Sequence, residues 1–429
     1  MSHMQLRHFA NVFNSNVDKI VDPNEEPVRL CNYVDVYKND FISLGLDFQV
    51  GSATPREIER FGLRMNDVII TKDSEDRHDI GVPALVRETA PDLVCGYHLT
   101  VLRADTSRCH GGFLFWALQS KRAREAFSIA ASGVTRYGLT QDGIRSQSIW
   151  LPDLEAQQRI AAFLDAEMAR IDALIEKKRR MLLVFDERLQ AIADQATSPT
   201  DADVTVPLRR VLLKIEQGWS PECEARLAED GEWGVLKVGC VNGWSFAAAE
   251  HKALPAALAP RRELEVRDGD VLMSRANTRE LVGSVAVVEG APRRLMLCDL
   301  LYRLTFDERK ISTQFAVLAL RSRRARQHYE VCSNGSSASM QKIRHETIRS
   351  LMISLPPINR QRHLVAAFEE TANLLSTSST KVRRSIDRLR EYRSALITEA
   401  VTGQLDIDAW RRRGSGDAHL DRIAAEAGE

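Results

Sequence analysis

Between residues 161 and 196 an apolar position recurs every three and four residues in alternation. The seam runs Ala161, Leu164, Met168, Ile171, Ile175, Lys178, Leu182, Phe185, Leu189, Ile192 and Ala196, and ten of these eleven are apolar. A 3.5-residue period is the signature of helices packed side by side, so the stretch predicts a long helix that needs a partner helix. Asp153 is placed to cap its start and Ser198-Pro199 to stop it. Such a stripe speaks of packing, not of chemistry.

The partner lies in the same chain. Moving every seam position forward by 204 residues gives Val365, Phe368, Ala372, Leu375, Ser379, Val382, Ile386, Leu389, Arg393, Leu396 and Ala400, nine of eleven apolar. The flanks repeat as well: Leu151-Pro152 answers Leu355-Pro356, Gln157 answers Gln361, and Gly403 is a candidate cap for the second helix. Upstream the repeat continues at an offset of 202 or 203. Asp67-Val68-Ile69-Ile70 corresponds to Asp270-Val271-Leu272-Met273, and Ser120-Lys121-Arg122-Ala123-Arg124 to Ser322-Arg323-Arg324-Ala325-Arg326. Between these anchors the copies diverge; Asp73-Ser74-Glu75-Asp76-Arg77 faces Ala276-Asn277-Thr278-Arg279-Glu280.

The order is therefore a globule (1–152), a spacer helix (153–198), a second globule (199–355), a second spacer helix (356–403) and a polar, flexible tail (404–429). In fold class this is α+β: two tandem mixed α/β domains separated by two long helices in an antiparallel coiled coil, with a pseudo-two-fold axis. Residues 67–71 and 98–103 read as strands, and residues 111–127 carry helical spacing. The 36 seam residues span roughly 54 Å at ~1.5 Å per residue. With the globules at opposite ends, such a spacer reaches successive major-groove sites, which recur every ~34 Å along DNA.

The 429 residues carry no net formal charge, so no global basic field marks the chain as a solitary nucleic-acid binder. Seven scattered cysteines without a CxxC pair argue against zinc and disulfides and for a cytoplasmic protein. No apolar run approaches the ~20 residues of a membrane span. Phosphate-loop, HExxH and GxSxG motifs are absent, and Leu355-Pro356-Pro357-Ile358 departs from the Asn-Pro-Pro-aromatic methyltransferase motif at both ends. His98 reads as a packed core histidine, and Asp67 and Asp270 as turn residues entering strands.

Several stretches resemble the specificity subunits of type I restriction–modification enzymes. They are the helix start Leu151 to Gln157 with Arg159 to Asp165, the run Ala169 to Ile175, the second start Leu355 to Gln361, and the close Arg393 to Gly403. The stretch Val28 to Tyr37 is similar to the opening of some target-recognition domains. That family has a Glu before the Gln of the helix start, where this chain has Ala156 and Arg360. The resemblance implies that each globule reads one half of a split, asymmetric sequence in double-stranded DNA. It implies that the helices set the gap and dock two adenine methyltransferase subunits, with a restriction subunit able to join. Catalysis, S-adenosylmethionine, ATP and magnesium would then belong to the partners. A coiled-coil scaffold without a DNA role and a divergent nuclease are the alternatives. The first leaves two divergent globules on near-constant helices unexplained; the second lacks an acidic or histidine cluster.

Base reading needs donors and acceptors on loops. The candidates are Thr71, Lys72, Arg77, Thr135, Arg136 and Tyr137 in the first globule. In the second they are Ser274, Arg275, Asn277, Ser336, Ser339, Gln341 and Lys342, at corresponding places in the repeat. The run Arg321, Arg323, Arg324 and Arg326 is either a phosphate contact or a solvated helix face. Residues 1–152 carry 17 Lys and Arg against 19 Asp and Glu, and residues 205–354 carry 23 against 18, so the second globule is the more cationic.

Overall fold

The computed structural model describes residues 3–333 and 340–412. The chain divides into two compact units, residues 1–179 with 381–429, and residues 180–380. Both boundaries fall inside the long helices, Leu154–Thr197 and Ile358–Val401, of 44 residues each. Each unit is thus one globule with part of each helix.

In the first unit the main sheet has the order Ala10–Asn14, Leu99–Ala104, Val68–Thr71, Pro83–Val86, Phe41–Ile42. Every residue of Val68–Thr71 and Pro83–Val86 is buried, which is why these segments read as unbroken apolar runs. A three-stranded sheet pairs Glu26–Cys31 with Gln49–Ala53 antiparallel and with Leu93–Cys95 parallel. The second unit repeats the plan. Its main sheet is Leu212–Gln217, Leu301–Phe306, Val271–Ser274, Val285–Val287, and its smaller sheet is His251–Ala253, Gly234–Leu236, Leu295–Met296. The pairings again run antiparallel and then parallel. The copies differ after the central strand of the smaller sheet, where the first has the helix Tyr33–Lys38 and the second a 3-10 turn, Val238–Val241.

The helical spacing over 111–127 resolves into two helices, Gly111–Gln119 and Lys121–Ala130. Ser120 between them is extended, and its hydroxyl accepts the Ala123 amide, so an N-cap interrupts the helix. Ser322 does the same between Thr313–Arg321 and Arg323–Cys332. Glycine holds a second point in common. Gly81 and Gly283 both have positive φ, and a Cβ on either would press into the ring of Phe127 or Tyr329.

Within each unit the long helices run antiparallel. In the first, Arg393 pairs with Asp172 at 3.4 Å and Trp410 packs edge-on against Phe163. In the second, Val365 shares a core with Ala193 and Ala196, and Arg360 reaches Asp203. Leu164, Met168, Ile171 and Ile175 are buried, as are Leu375, Val382, Ile386, Leu389 and Leu396. Leu182, Phe185 and Phe368 are half-buried, the last against Trp244. Lys178, the one polar seam residue of the first helix, is also buried; desolvation, with Lys177 adding repulsion, lowers its pKa.

The helix ends match the sequence reading. Asp153 accepts the Ala156 amide. Gly403 has φ of 72°, and the Gln404 amide returns to the Glu399 carbonyl, closing a Schellman cap packed on Trp150. The segment expected to begin a flexible tail instead continues into a short helix, Ile407–Arg412, because Trp410 finds Phe163.

A wholly buried glutamine ties each globule to its helix. The Gln157 carbonyl accepts the His110 amide at 2.8 Å, and its amide group donates to the carbonyls of Arg108 and Pro152. Gln361 makes the same three bonds to Ser312, Lys310 and Pro356. Gln157→Leu strands three part-buried backbone groups and is expected to cost about 3 kcal/mol. That lowers the melting temperature of its unit by roughly 6–12 °C. A scanning calorimetry shift under about 2 °C would contradict this account.

Candidate nucleic-acid interface

Two loops of each globule meet in a small antiparallel ribbon. In the first, Asp73–Ser74 pairs with Tyr137–Gly138. In the second, Ala276–Asn277 pairs with Gln341–Lys342. The strand before each ribbon ends in a buried hydroxyl: Thr71 accepts the Val82 amide, and Ser274 accepts the Ser284 amide. The next residue, Lys72 or Arg275, anchors the return strand, since its carbonyl accepts the amide of Leu139 or Ile343. Lys72 and Tyr137 in the first globule, and Arg275, Asn277, Gln341 and Lys342 in the second, are therefore brought together.

Their roles divide. Thr135 and Arg136 are exposed, Tyr137 is half-buried, and Lys72 lies near Asp73 at 4.0 Å. Lys342 is exposed; Asn277 and Gln341 are half-buried, with the Asn277 amide donating to Asn242 at 2.9 Å. Arg275 is half-buried and donates to the Asp299 carbonyl. Ser274 is fully buried and bonded at both ends of its hydroxyl, so it supports the ribbon and faces no ligand. Arg77 is exposed, but it donates to the Ser128 and Ile129 carbonyls and caps the helix Lys121–Ala130. Ser336 and Ser339 lie outside the described residues.

The basic run is mostly structural. Arg321 stacks on Trp244 and donates to the Gly243 carbonyl, and burial pulls its guanidinium down to about 10. Arg326 donates to the carbonyls of Glu280 and Val282, and Arg323 pairs with Asp194. Of the four, Arg323 and Arg324 are exposed, so these two keep the role first considered for all of them.

Sequence reasoning missed an aromatic cluster beside the first ribbon. Tyr33 bonds Ser74; burial and the nearby Asp79 push its phenol upward, against the pull of Arg136. Tyr37 stacks on Tyr33 with centroids 5.6 Å apart. Tyr97 is exposed, and His98 bonds Asp73 at 2.8 Å. His98 is thus no packed core histidine. The strand begins only at Leu99, which leaves the imidazole half-buried at the ribbon. The spacing of Tyr33 and Tyr37 on one helix face was the available signal. Beside the second ribbon, His345 packs against Tyr302, and burial, with Arg349 and Arg275 nearby, lowers its pKa.

Asp67 and Asp270 are turn residues, as read: each accepts the amide three residues back, and each pairs with an arginine, Arg103 or Arg303. Among the described residues no three His, Cys, Asp or Glu side chains are grouped to hold a metal ion, and no helix is long and apolar enough to cross a membrane.

Comparison with known proteins agrees with this architecture. A family model described as the type I restriction modification DNA specificity domain matches residues 37–182, which hold the first ribbon and Gln157. The specificity subunit of the type I restriction enzyme EcoEI from Escherichia coli is 31% identical over 161 residues, 37% of this chain and 27% of that protein. The StySPI specificity subunit from Salmonella potsdam is 24% identical over 301 residues, 65% of this chain and 64% of that protein. The matches thus span about a quarter and just under two thirds of those relatives' own lengths. A solved chain, described under complex assembly and conformational transition of the type I R-M system, superposes with a TM-score of 0.65 at 18% identity. It covers 94% of this chain and 98% of its own, and shows the same fold. The duplicated globules, the paired helices and these matches together give residues 37–182 the type I restriction modification DNA specificity domain and give the chain the fold of the solved type I R-M chain.

Proposed function

We propose that this chain is the sequence-reading subunit of a type I restriction–modification complex. Each globule reads one half of a bipartite, asymmetric target in double-stranded DNA. The observation that carries this is the ribbon, which recurs at the same place in both globules while its side chains differ. Asp73, Ser74, Tyr137 and Gly138 in one stand where Ala276, Asn277, Gln341 and Lys342 stand in the other. A constant platform with changed donors and acceptors is what reading two unrelated half-sites requires. The duplicated ribbon also weighs against a plain scaffold.

Amides suit adenine edges and cations suit guanine edges or phosphates, so Asn277, Gln341 and Lys342 favour direct major-groove reading. The first ribbon offers the Asp73 carboxylate, an acceptor for a cytosine amino group, flanked by His98, Tyr97 and Arg136. The long helices, about 66 Å each at ~1.5 Å per residue, act as the spacer that sets the gap and dock two adenine methyltransferase subunits. The chain itself is non-catalytic and cytoplasmic. S-adenosylmethionine belongs to the methyltransferase, and ATP and magnesium to a restriction subunit where one joins.

The decisive experiment maps adenine methylation across the genome of the source strain with and without this gene. Loss of methylation at one two-part motif is expected; loss at none removes the proposal. Asn277→Ala in the assembled complex is expected to relax one position of the motif, at a cost of about 1–3 kcal/mol in binding to the preferred sequence. Arg136→Ala is expected to weaken binding and leave the second half-site unchanged. Unaltered affinity and motif in both variants, by fluorescence anisotropy and methylation sequencing, would show that the ribbons do not touch DNA.

A further inference from the structure

The two ribbons carry charge of opposite sign at the same level. Asp73 lies directly opposite Gly138 in the first, and Ala276 opposite Lys342 in the second. Directly opposed residues of an antiparallel pair share one face. Each ribbon thus sets one ionic side chain against one small residue on that face.

In the first ribbon the small residue keeps the acid open. A Cβ on Gly138 would lie 3.5 Å from Asp73 Oδ1, so any longer side chain there would cover that oxygen. The other oxygen is taken: His98 Nδ1 donates to Oδ2 at 2.8 Å, with the Lys72 ammonium 4.0 Å away. Among the described residues no donor is bonded to Oδ1. His98 is itself held on two sides. Its carbonyl accepts the Lys72 amide, and the Tyr97 ring lies against the imidazole with centroids 3.8 Å apart.

The fold does not require this pair. In the second globule Leu300 stands in the place of His98, since its carbonyl accepts the Arg275 amide as that of His98 accepts the Lys72 amide. Ala276 stands in the place of Asp73. Acid and imidazole are therefore exchanged together for two apolar side chains, and the ribbon still forms. A pair present in one ribbon and dispensable in the other is explained by what it binds.

A carboxylate oxygen only accepts hydrogen bonds. In the major groove cytosine shows an amino group with no acceptor on the same base edge. Adenine shows its amino group beside N7, which repels a carboxylate, and guanine and thymine show only acceptors. Resting on the sequence-reading function, we propose that Asp73 Oδ1 reads the amino group of one cytosine in the first half-site, with His98 as its positioning residue. The Nδ1–H engages Oδ2 and stops the carboxylate from rotating, so less freedom is lost when Oδ1 meets the base. Gly138 leaves the approach clear.

The test uses the full chain assembled with the methyltransferase subunit of the same system. Duplex libraries randomised at each position of the mapped motif are bound, and the retained duplexes are sequenced. D73A is expected to lower the preference for one C·G pair of the first half-site about tenfold and to leave the other positions unchanged. D73N, which both donates and accepts, admits thymine beside cytosine there. H98L relaxes the same position, and H98N, whose amide can replace the Nδ1–H, keeps the preference. D73A with H98L reproduces the Ala276 and Leu300 of the second ribbon, a combination on which that ribbon forms, and relaxes no further than D73A alone. Unchanged preference in D73A or in H98L overturns the proposal. So does relaxation at a pair other than C·G, loss of preference across the whole half-site, or a further change when H98L is added to D73A. An unaltered complex that prefers no two-part motif brings down the sequence-reading function itself, and this proposal with it.

Discussion

Two buried glutamines hold this architecture together. Each lies at the start of a long helix and reaches back into the globule before it, bonding three backbone groups that no secondary structure satisfies. A buried amide without these partners would be strongly unfavourable, and so would the carbonyls and amides without it. The bond set therefore fixes the angle at which helix leaves globule. Because Gln157 and Gln361 make it in the same way, each globule joins its helix alike, and the two units inherit one plan from one repeated interaction.

On that frame, constancy and divergence are separated in space. The hydroxyls of Thr71 and Ser274, the positive-φ glycines Gly81 and Gly283, and the Ser120 and Ser322 caps repeat with little change. They hold a short ribbon whose side chains are free to vary. In the first globule the ribbon is surrounded by tyrosines, a histidine and a carboxylate; in the second by amides and cations. Changing Tyr137, Gln341 or Lys342 on the return strands then leaves the core and the helices undisturbed, since these side chains are half-buried or exposed.

The features set by period and offset were legible in the sequence. The seam period needs only counting, and apolar burial follows it at Leu164, Ile171, Leu389 and Leu396. The repeat aligned the two loops of each globule before any contact between them was visible. What escaped were distinctions between residues of one type. Ser274 and Ser120 are both serines beside a turn, yet one is a buried strut and the other a helix cap. Arg77 and Arg136 are both exposed loop arginines, yet Arg77 is held on the carbonyls of Ser128 and Ile129 while Arg136 stands next to the ribbon residue Tyr137. Such outcomes depend on which carbonyl lies within reach, and chain-distant segments supply it.

The sequence by itself determined the duplicated plan, the long helices with their caps, and two central strands of the first main sheet, because hydrophobic period and cap chemistry are local properties. The tertiary structure alone decided that residues 73–74 meet 137–138 and that 276–277 meet 341–342. It also decided that His98 turns to Asp73 and that Arg321 disappears beneath Trp244. Those pairings join residues tens of positions apart. They are fixed by the packing of whole sheets and helices, which no local pattern encodes.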